Sequence, residues 1–479
     1  MPEDKSSKTL VMKFGGTSVG SSAALAHVTQ IVRKARAEWP RLVVVTSAMS
    51  GATNLLLESA SQAAAGNVAS LPGAEQTLRE RHFAAIDGLI QDGVLCTRTK
   101  AEIDVLIGSF VDLCRAMAVL GEASPRALDA VASLGERMSV RVLAAVVESA
   151  EVRAKAIEAT EFLVTNDHFQ NAHPDFKATT EKTRSRLDPL LQEGIMPITT
   201  GFIGATAEGI VTTLGRGGSD YSAAIIGAVL PADEVWIWTD VDGVMTTDPR
   251  IAPSARTLPE ITYSEIAELA YYGAKVLHPK TIRPVIEAGI GLRICNTFNP
   301  SHPGTRLIAN SDRASRPRTG SQVVRAVTAI RQQRLVTVEG RGMVGVPGVA
   351  ARAFAAVAAT GTSVPLITQA SSEQSICFAV PSETAESVVH QLKDVFSSEI
   401  EDNDIDRVWM TGDVSIITVV GAGMIHTPGV AGRVFSQLGR NNVNVLAIAQ
   451  GSSEVSISMV VVASDTENAV KSLHELIVE

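Results

Sequence analysis

The 479-residue chain has room for about three domains, each with a full core. Lys plus Arg number 42 against 51 for Asp plus Glu, a net charge of −9, so neither nucleic acid nor an anionic membrane surface is expected as a partner. With 45% hydrophobic and 19% charged residues, extensive disorder is excluded, and the abundant Ala, Val and Gly suit a tightly packed α/β enzyme.

From Thr9 to about Ile308, apolar runs of strand length alternate with amphipathic segments of helix length. A strand at 10–14 is followed by a helix over Ala23–Ala37, and a strand at 42–49 by helices over Ala74–Leu89, Ile103–Leu120 and Arg126–Val147. Strands at 195–203 and 209–214 then lead to a helix over Tyr221–Val229. The very apolar strand at 234–240 leads to helices over Ser264–Tyr272 and Lys280–Ala288, and a strand at 292–296 closes the series. This order predicts an α/β fold, a mainly parallel sheet sandwiched by helices. Residues 310–322 are polar, Arg-rich and aperiodic, and read as a linker.

Beyond the linker the chain repeats itself. Gly340–Val380 recurs without a gap as Gly421–Val461: GxGM, PGVA, the Arg352/Phe354 pair and the Gln369-x-Ser-Ser-Glu turn all return, the last as Gln450 to Glu454. Each copy reads strand, Gly/Pro loop, helix, strand, turn, strand, which predicts two side-by-side ferredoxin-like units. The expected division is 1–309 for the α/β part, 310–333 for the linker, and 334–400 and 401–479 for the two units, with the C-terminal strand free to return to the first.

Cys96, Cys114, Cys295 and Cys377 are scattered, with no CxxC pair, so neither a disulfide framework nor a zinc site is expected. The polar start MPEDKSSKTL lacks the apolar stretch of a signal peptide, and no run of about 18 apolar residues occurs, so a cytoplasmic location is expected.

Several turns at strand ends carry candidate chemistry. Lys13-Phe14-Gly15-Gly16-Thr17-Ser18 offers backbone N–H groups and a cation to an anion, although a plain structural turn has the same look. Thr46 to Asn54 is a hydroxyl-rich loop containing Ser47 and Thr53, at the edge where open α/β sheets bind ligands, and a simple capped turn is the alternative. Leu214 to Asp220 packs three glycines around Arg216, Ser219 and Asp220; Arg216 suits a carboxylate held by two parallel bonds, while Asp220 serves equally as a helix-start residue. Glu136 is either a ligand contact or an ordinary helix carboxylate. Thr239-Asp240-Val241-Asp242-Gly243 suits Mg²⁺ or ribose hydroxyls, or is only an Asp-rich turn. Lys275, in GAKVLHP, either reaches phosphate or is solvated, and His278 is read as structural. The glycines after Val420 lack the spacing of a dinucleotide loop and belong to the repeat.

Taken in order, KFGGTSV, the TSAMSGATN loop, Gly135-Glu136-Arg137, LGRGGSD, WTDVDGVMTTDPR and GAKVLHP resemble the aspartate kinases, and the repeat resembles their tandem ACT units. The resemblance spans the chain beyond its first eight residues. It implies the amino-acid kinase fold and ATP-dependent phosphorylation of the L-aspartate side chain to 4-phospho-L-aspartate with Mg²⁺, the first step towards lysine, threonine and methionine. By resemblance, Lys13 and the Gly15 and Gly16 amides hold the transferring phosphates, Arg216 takes the substrate α-carboxylate and Glu136 its ammonium. Ser47, Thr53 and Ser219 add hydroxyl contacts, and Asp220 organises Mg²⁺ and the lysine. Thr239, Asp240, Met245, Arg250, Lys275 and Val276 line the nucleotide side, with Met245 standing where many relatives have Tyr. At this chain length the fused homoserine dehydrogenase of some relatives is not expected. Gln369, matched by Gln450, resembles the threonine-responsive branch, so an allosteric amino acid is expected, threonine first and lysine as the alternative, on a homodimer or larger assembly. A non-catalytic amino-acid sensor and a kinase for another amino acid are the rival readings.

Overall fold

The computed structural model describes residues 8–271, 277, 279–310, 323–343, 345–369 and 374–478. Two compact units divide the chain. The first comprises 1–244, 259–261 and 276–309, and the second 245–258, 262–275 and 310–479.

The first unit opens with β1 (Thr9–Phe14), α1 (Ser22–Glu38) and β2 (Arg41–Thr46). Then come α2 (Ala52–Ala64), α3 (Leu71–Leu89), α4 (Gly93–Leu120), α5 (Pro125–Ser149), β3 (Ala154–Ile157) and α6 (Phe176–Gln192). It continues with β4 (Met196–Thr200), β5 (Ile203–Ala205), β6 (Val211–Thr213), α7 (Gly218–Val229) and β7 (Glu234–Thr239). After β8 (Glu260–Thr262), α9 (Pro279–Glu287), β9 (Gly291–Asn296) and β10 (Thr305–Ile308) complete it, while α8 (Tyr263–Tyr271) falls in the second unit. The sheet order is β3-β4-β2-β1-β7-β9-β10-β8, with β10 antiparallel to β9 and every pairing from β3 to β9 along that order parallel. All six residues of β1 are buried, as a central parallel strand covered on both faces requires. The expected run at 195–203 is broken at Gly201-Phe202. Only β4 joins the main sheet, while β5 and β6 form a separate hairpin.

The second unit carries β11 (Ala326–Glu339), α10 (Val349–Ala359), β12 (Leu366–Gln369), β13 (Ser375–Pro381), α11 (Ala385–Val395), α12 (Ser397–Glu401) and β14 (Arg407–Met410). Then follow β15 (Val414–Val420), α13 (Val430–Arg440), β16 (Ala447–Gln450), β17 (Ser456–Val462) and α14 (Thr466–Val478). Two features differ from the sequence expectation. Residues 326–333 are not linker but the first part of β11, a long strand that pairs with β15 near its start and with β13 and β14 near its end. The strand that returns to the first repeat is β14, not a C-terminal one: Val408 packs in the Phe378 core, and the chain ends in α14 against the Ile417 core. A strand shared by both repeats joins them into one sheet.

Candidate active site

Strands β1, β2, β4 and β7 run parallel, so their carboxyl ends meet on one edge, where open α/β sheets bind ligands. A cavity of about 490 Å³ opens there, and Lys13, Ser47, Thr53, Glu136, Arg216 and Asp220 all line it, together with Ser219. Four well-separated stretches of sequence thus converge on one space.

Lys13 sits near the end of β1 and is 8% exposed. Its Nζ lies 2.6 Å from Asp220 Oδ1. Asp220 occupies the first turn of α7, where the helix dipole favours negative charge. The loop leading there turns through Gly215 and Gly217 at φ of 76° and 72°, a conformation glycine takes at little cost. Arg216 between them is exposed and reaches the cavity from its rim.

Glu136, in the middle of α5, is buried. Its Oε1 accepts from the Ala48 N–H at 3.2 Å, and its Oε2 is buried without a hydrogen-bond partner. Burial pushes its carboxyl from the usual 4.5 to about 8. A neutral acid with an unused oxygen beside a cavity is a ready receptor for a cation. Thr53 arrives on the first turn of α2, a helix that the sequence pattern did not disclose.

Sequence reasoning missed Asp129. It lies on the same face of α5 as Glu136 and is buried, with its carboxyl raised by desolvation. It accepts from Gln170 N at 3.0 and 3.2 Å, from Thr213 N at 2.9 Å and from Thr213 Oγ1 at 2.8 Å. Gln170 and Thr213 also line the cavity, so Asp129 fixes that wall. The spacing of two acids on one helix face, Asp129 and Glu136, was the signal that could have found it.

The glycine turn differs from expectation. The Gly15 N–H donates to the Trp238 carbonyl at 3.1 Å, so this amide is committed inside the fold. Helix α1 begins at Ser22 with Ser21 as its cap, one residue ahead of the expected start. Of the nucleotide-side residues, Thr239 donates to Asp240 Oδ1 at 3.2 Å, and Asp240 is exposed. Asp242 accepts from the Asn296 and Asn299 amides at 2.9 and 3.0 Å, which ties the loops after β7 and β9 together. Met245 and Arg250 belong to the second unit. There Met245 pairs with Thr257, and Arg250 grips Asp248 at 2.7 Å, which lowers the Asp248 pKa. Lys275, Val276 and His278 lie outside the described residues. Gln369 and Gln450 are the exposed last residues of β12 and β16. Among the described residues no three His, Cys, Asp or Glu gather as a metal site, and no helix is long and apolar enough to cross a membrane.

Comparison with known proteins places the fold. The amino acid kinase family model matches residues 8–296, and the ACT domain model matches 336–396 and 417–476. The chain is 37% identical over 467 residues to bifunctional aspartokinase/homoserine dehydrogenase 2 of Arabidopsis thaliana, covering 97% of this chain and 50% of that protein. It therefore spans about half the length of that curated relative. Aspartokinase 1 of Arabidopsis thaliana is 34% identical, with 98% of this chain and 80% of that one covered. E. coli aspartokinase III superposes with a TM-score of 0.79 in complex with aspartate and ADP and 0.80 in complex with lysine and aspartate, at 31% identity, 98% of this chain and all of that chain.

Proposed function

We propose a function from one premise: the chain belongs to the amino acid kinase family, among the aspartokinases that carry tandem ACT domains. It transfers the γ-phosphoryl group of ATP to the side-chain carboxylate of L-aspartate. The observation that carries this reading is the convergence of Lys13, Glu136, Arg216 and Asp220 on one cavity of about 490 Å³. A non-catalytic sensor would have no use for that set.

Phosphoryl transfer calls for positioning and neutralisation of charge rather than a covalent partner. The reacting aspartate carboxylate is already ionised at neutral pH, so no general base is needed. One carboxylate oxygen attacks the γ-phosphorus, the bond to the β-phosphate oxygen breaks, and ADP leaves with the electron pair. Lys13 faces the charge that develops on the transferring group, and Asp220 holds the lysine in place. Arg216 takes the α-carboxylate through two parallel bonds. Glu136 takes the α-ammonium, giving up its proton as the cation arrives. Thr239, Asp240, Met245, Arg250, Lys275 and Val276 serve the nucleotide side. Mg²⁺ supplies charge neutralisation on the phosphates. A single carboxylate such as Asp220, with nucleotide oxygens and water, fits the coordination that Mg²⁺ prefers.

ADP formation should depend on aspartate in a panel that also contains glutamate and N-acetylglutamate. Equal or greater turnover on another acceptor would replace the assignment. Regulation by an end-product amino acid is part of the same reading, with threonine first and lysine, which E. coli aspartokinase III binds, as the alternative. Gln369 is the proposed contact in the first ACT unit and Gln450 its counterpart, in a homodimer or larger assembly. The enzyme thereby serves the first step towards lysine, threonine and methionine.

A further inference from the structure

We propose that a second cavity of the first unit, between α1, β7, β9 and the loop at 300–303, binds a small carboxylate with an apolar body the size of an aromatic ring. The cavity is about 470 Å³, enough for such a molecule. It lies on one face of the sheet. Trp236 and Trp238 alternate on β7, and Arg293 and Cys295 alternate on the neighbouring β9, so all four side chains share that face. The indoles stand 6.2 Å apart, and the Arg293 guanidinium lies over the Trp236 ring at 5.3 Å.

Two of the cavity's polar groups are buried donors without partners. Trp238 is 5% exposed, and its Nε1 is buried with no hydrogen-bond partner; Arg293 Nε is likewise buried and unpaired. A buried N–H without an acceptor is costly and asks for one. His302 Nδ1 accepts from the Gly304 N–H at 3.1 Å, which leaves Nε2 to carry the ring proton as a further donor. That loop conformation depends on Gly304, because a Cβ there would stand 2.0 Å from the Ile294 carbonyl oxygen at a φ of 73°. Lys34, Arg293 and the Glu38 carboxylate line it, and the Trp236 N–H is taken by Glu234, which leaves the Trp238 and Arg293 Nε–H groups as the free donors. A carboxylate accepts without donating, so it meets both unpaired donors at once. The indole faces take the apolar body. Cys295 on the floor stays a thiol, since burial pushes it up to about 12.

Phenylacetate is the probe, with phenylacetamide as its uncharged match, titrated into the full-length protein by calorimetry and by the fluorescence of the tryptophans, two of whose four residues line the site. Saturable binding of phenylacetate is expected, with phenylacetamide at least roughly tenfold weaker. Trp238→Phe removes only the indole N–H, and Arg293→Met keeps the aliphatic stem. Each should weaken phenylacetate by about tenfold while leaving the circular dichroism spectrum unchanged. No saturable binding at tens of millimolar, equal binding by the amide, or binding that neither folded variant alters would overturn the proposal. So would competition by aspartate, which places the probe in the first cavity. The titration needs no phosphoryl transfer, so its outcome is separate from that of the kinase assay.

Discussion

At the scale of single residues, the proposed function makes Glu136 couple substrate binding to pH. The empty site holds it protonated up to about pH 8, and a bound ammonium favours the ionised form, so aspartate binding releases a proton. The KM for aspartate should therefore fall as pH rises from about 6 to about 8 and then level off. Glu136→Gln should show a raised and pH-independent KM. A pH dependence that survives in that variant would assign the proton elsewhere. Stability runs the other way. The folded pKa is raised, so its contribution is complete below about 4.5 and is lost as pH climbs towards about 8. The stability of Glu136→Gln, read by denaturant titration, should thus exceed the parent's by a margin that widens across that window, by about 1.4 kcal/mol per pH unit at most. Lys13→Ala acts differently, because in the proposed reaction its charge faces phosphate in the transition state. Turnover should fall by about a hundredfold with little change in aspartate affinity, as steady-state kinetics would read. Arg216→Lys keeps charge but loses the planar fork, so the aspartate KM should rise more than that for ATP. The reverse pattern would swap the two sides of the site.

At the scale of elements, the wall of the first cavity depends on α5 reaching across to β6 and the segment around Gln170 through Asp129. Asp129→Ala leaves the Gln170 and Thr213 N–H groups and the Thr213 hydroxyl without their acceptor. The cost should be about 1–3 kcal/mol by denaturant titration, with a raised aspartate KM. Unchanged stability would mean that water or another acceptor replaces the carboxylate. Elements with strong periodicity, such as β1, β7, α1 and α5, were legible in the sequence. Others were hidden for identifiable reasons. The inner face of α6 is built partly of Thr179 and Thr183, which break the apolar stripe. The inner face of α2 consists of Ala52, Leu56, Ser59, Ala60 and Ala63, too small to stand out. Strand β3 has only four residues at the sheet edge. Within the candidate site, Lys13, Arg216 and Asp220 sit in or beside glycine-rich turns, a pattern that advertises a ligand. Asp129 sits inside an ordinary helix, where a carboxylate attracts no notice until its acceptor role is seen.

At the scale of the whole chain, the boundary between the two compact units does not follow the sequence boundary between the kinase stretch and the repeats. Residues 245–258 and 262–275 fall within the 8–296 kinase match yet belong to the second unit. Their attachment there is specific. The Val327 N–H donates to the Thr246 carbonyl at 2.8 Å, and Glu265 accepts from the Ala422 N–H at 2.8 Å. Buried His474, on α14, bonds Thr246 Oγ1 at 2.8 Å through Nε2 and Ser254 Oγ at 3.3 Å through Nδ1, and burial lowers its pKa and keeps it neutral at pH 7. The segment that carries Met245 and Arg250 is thus joined covalently to the end of β7 and by hydrogen bonds to the second repeat. An effector that shifts the repeats must shift this segment with them, and allosteric coupling of this kind is reciprocal. His474→Ala should therefore reduce the effect of threonine, or of lysine if that is the effector, on the KM for ATP, by about 0.5–2 kcal/mol of coupling, while uninhibited turnover stays near the parent's. Gln369→Ala should instead weaken the effector's own binding. Full inhibition in His474→Ala, at unchanged effector affinity, would show that the signal bypasses α14.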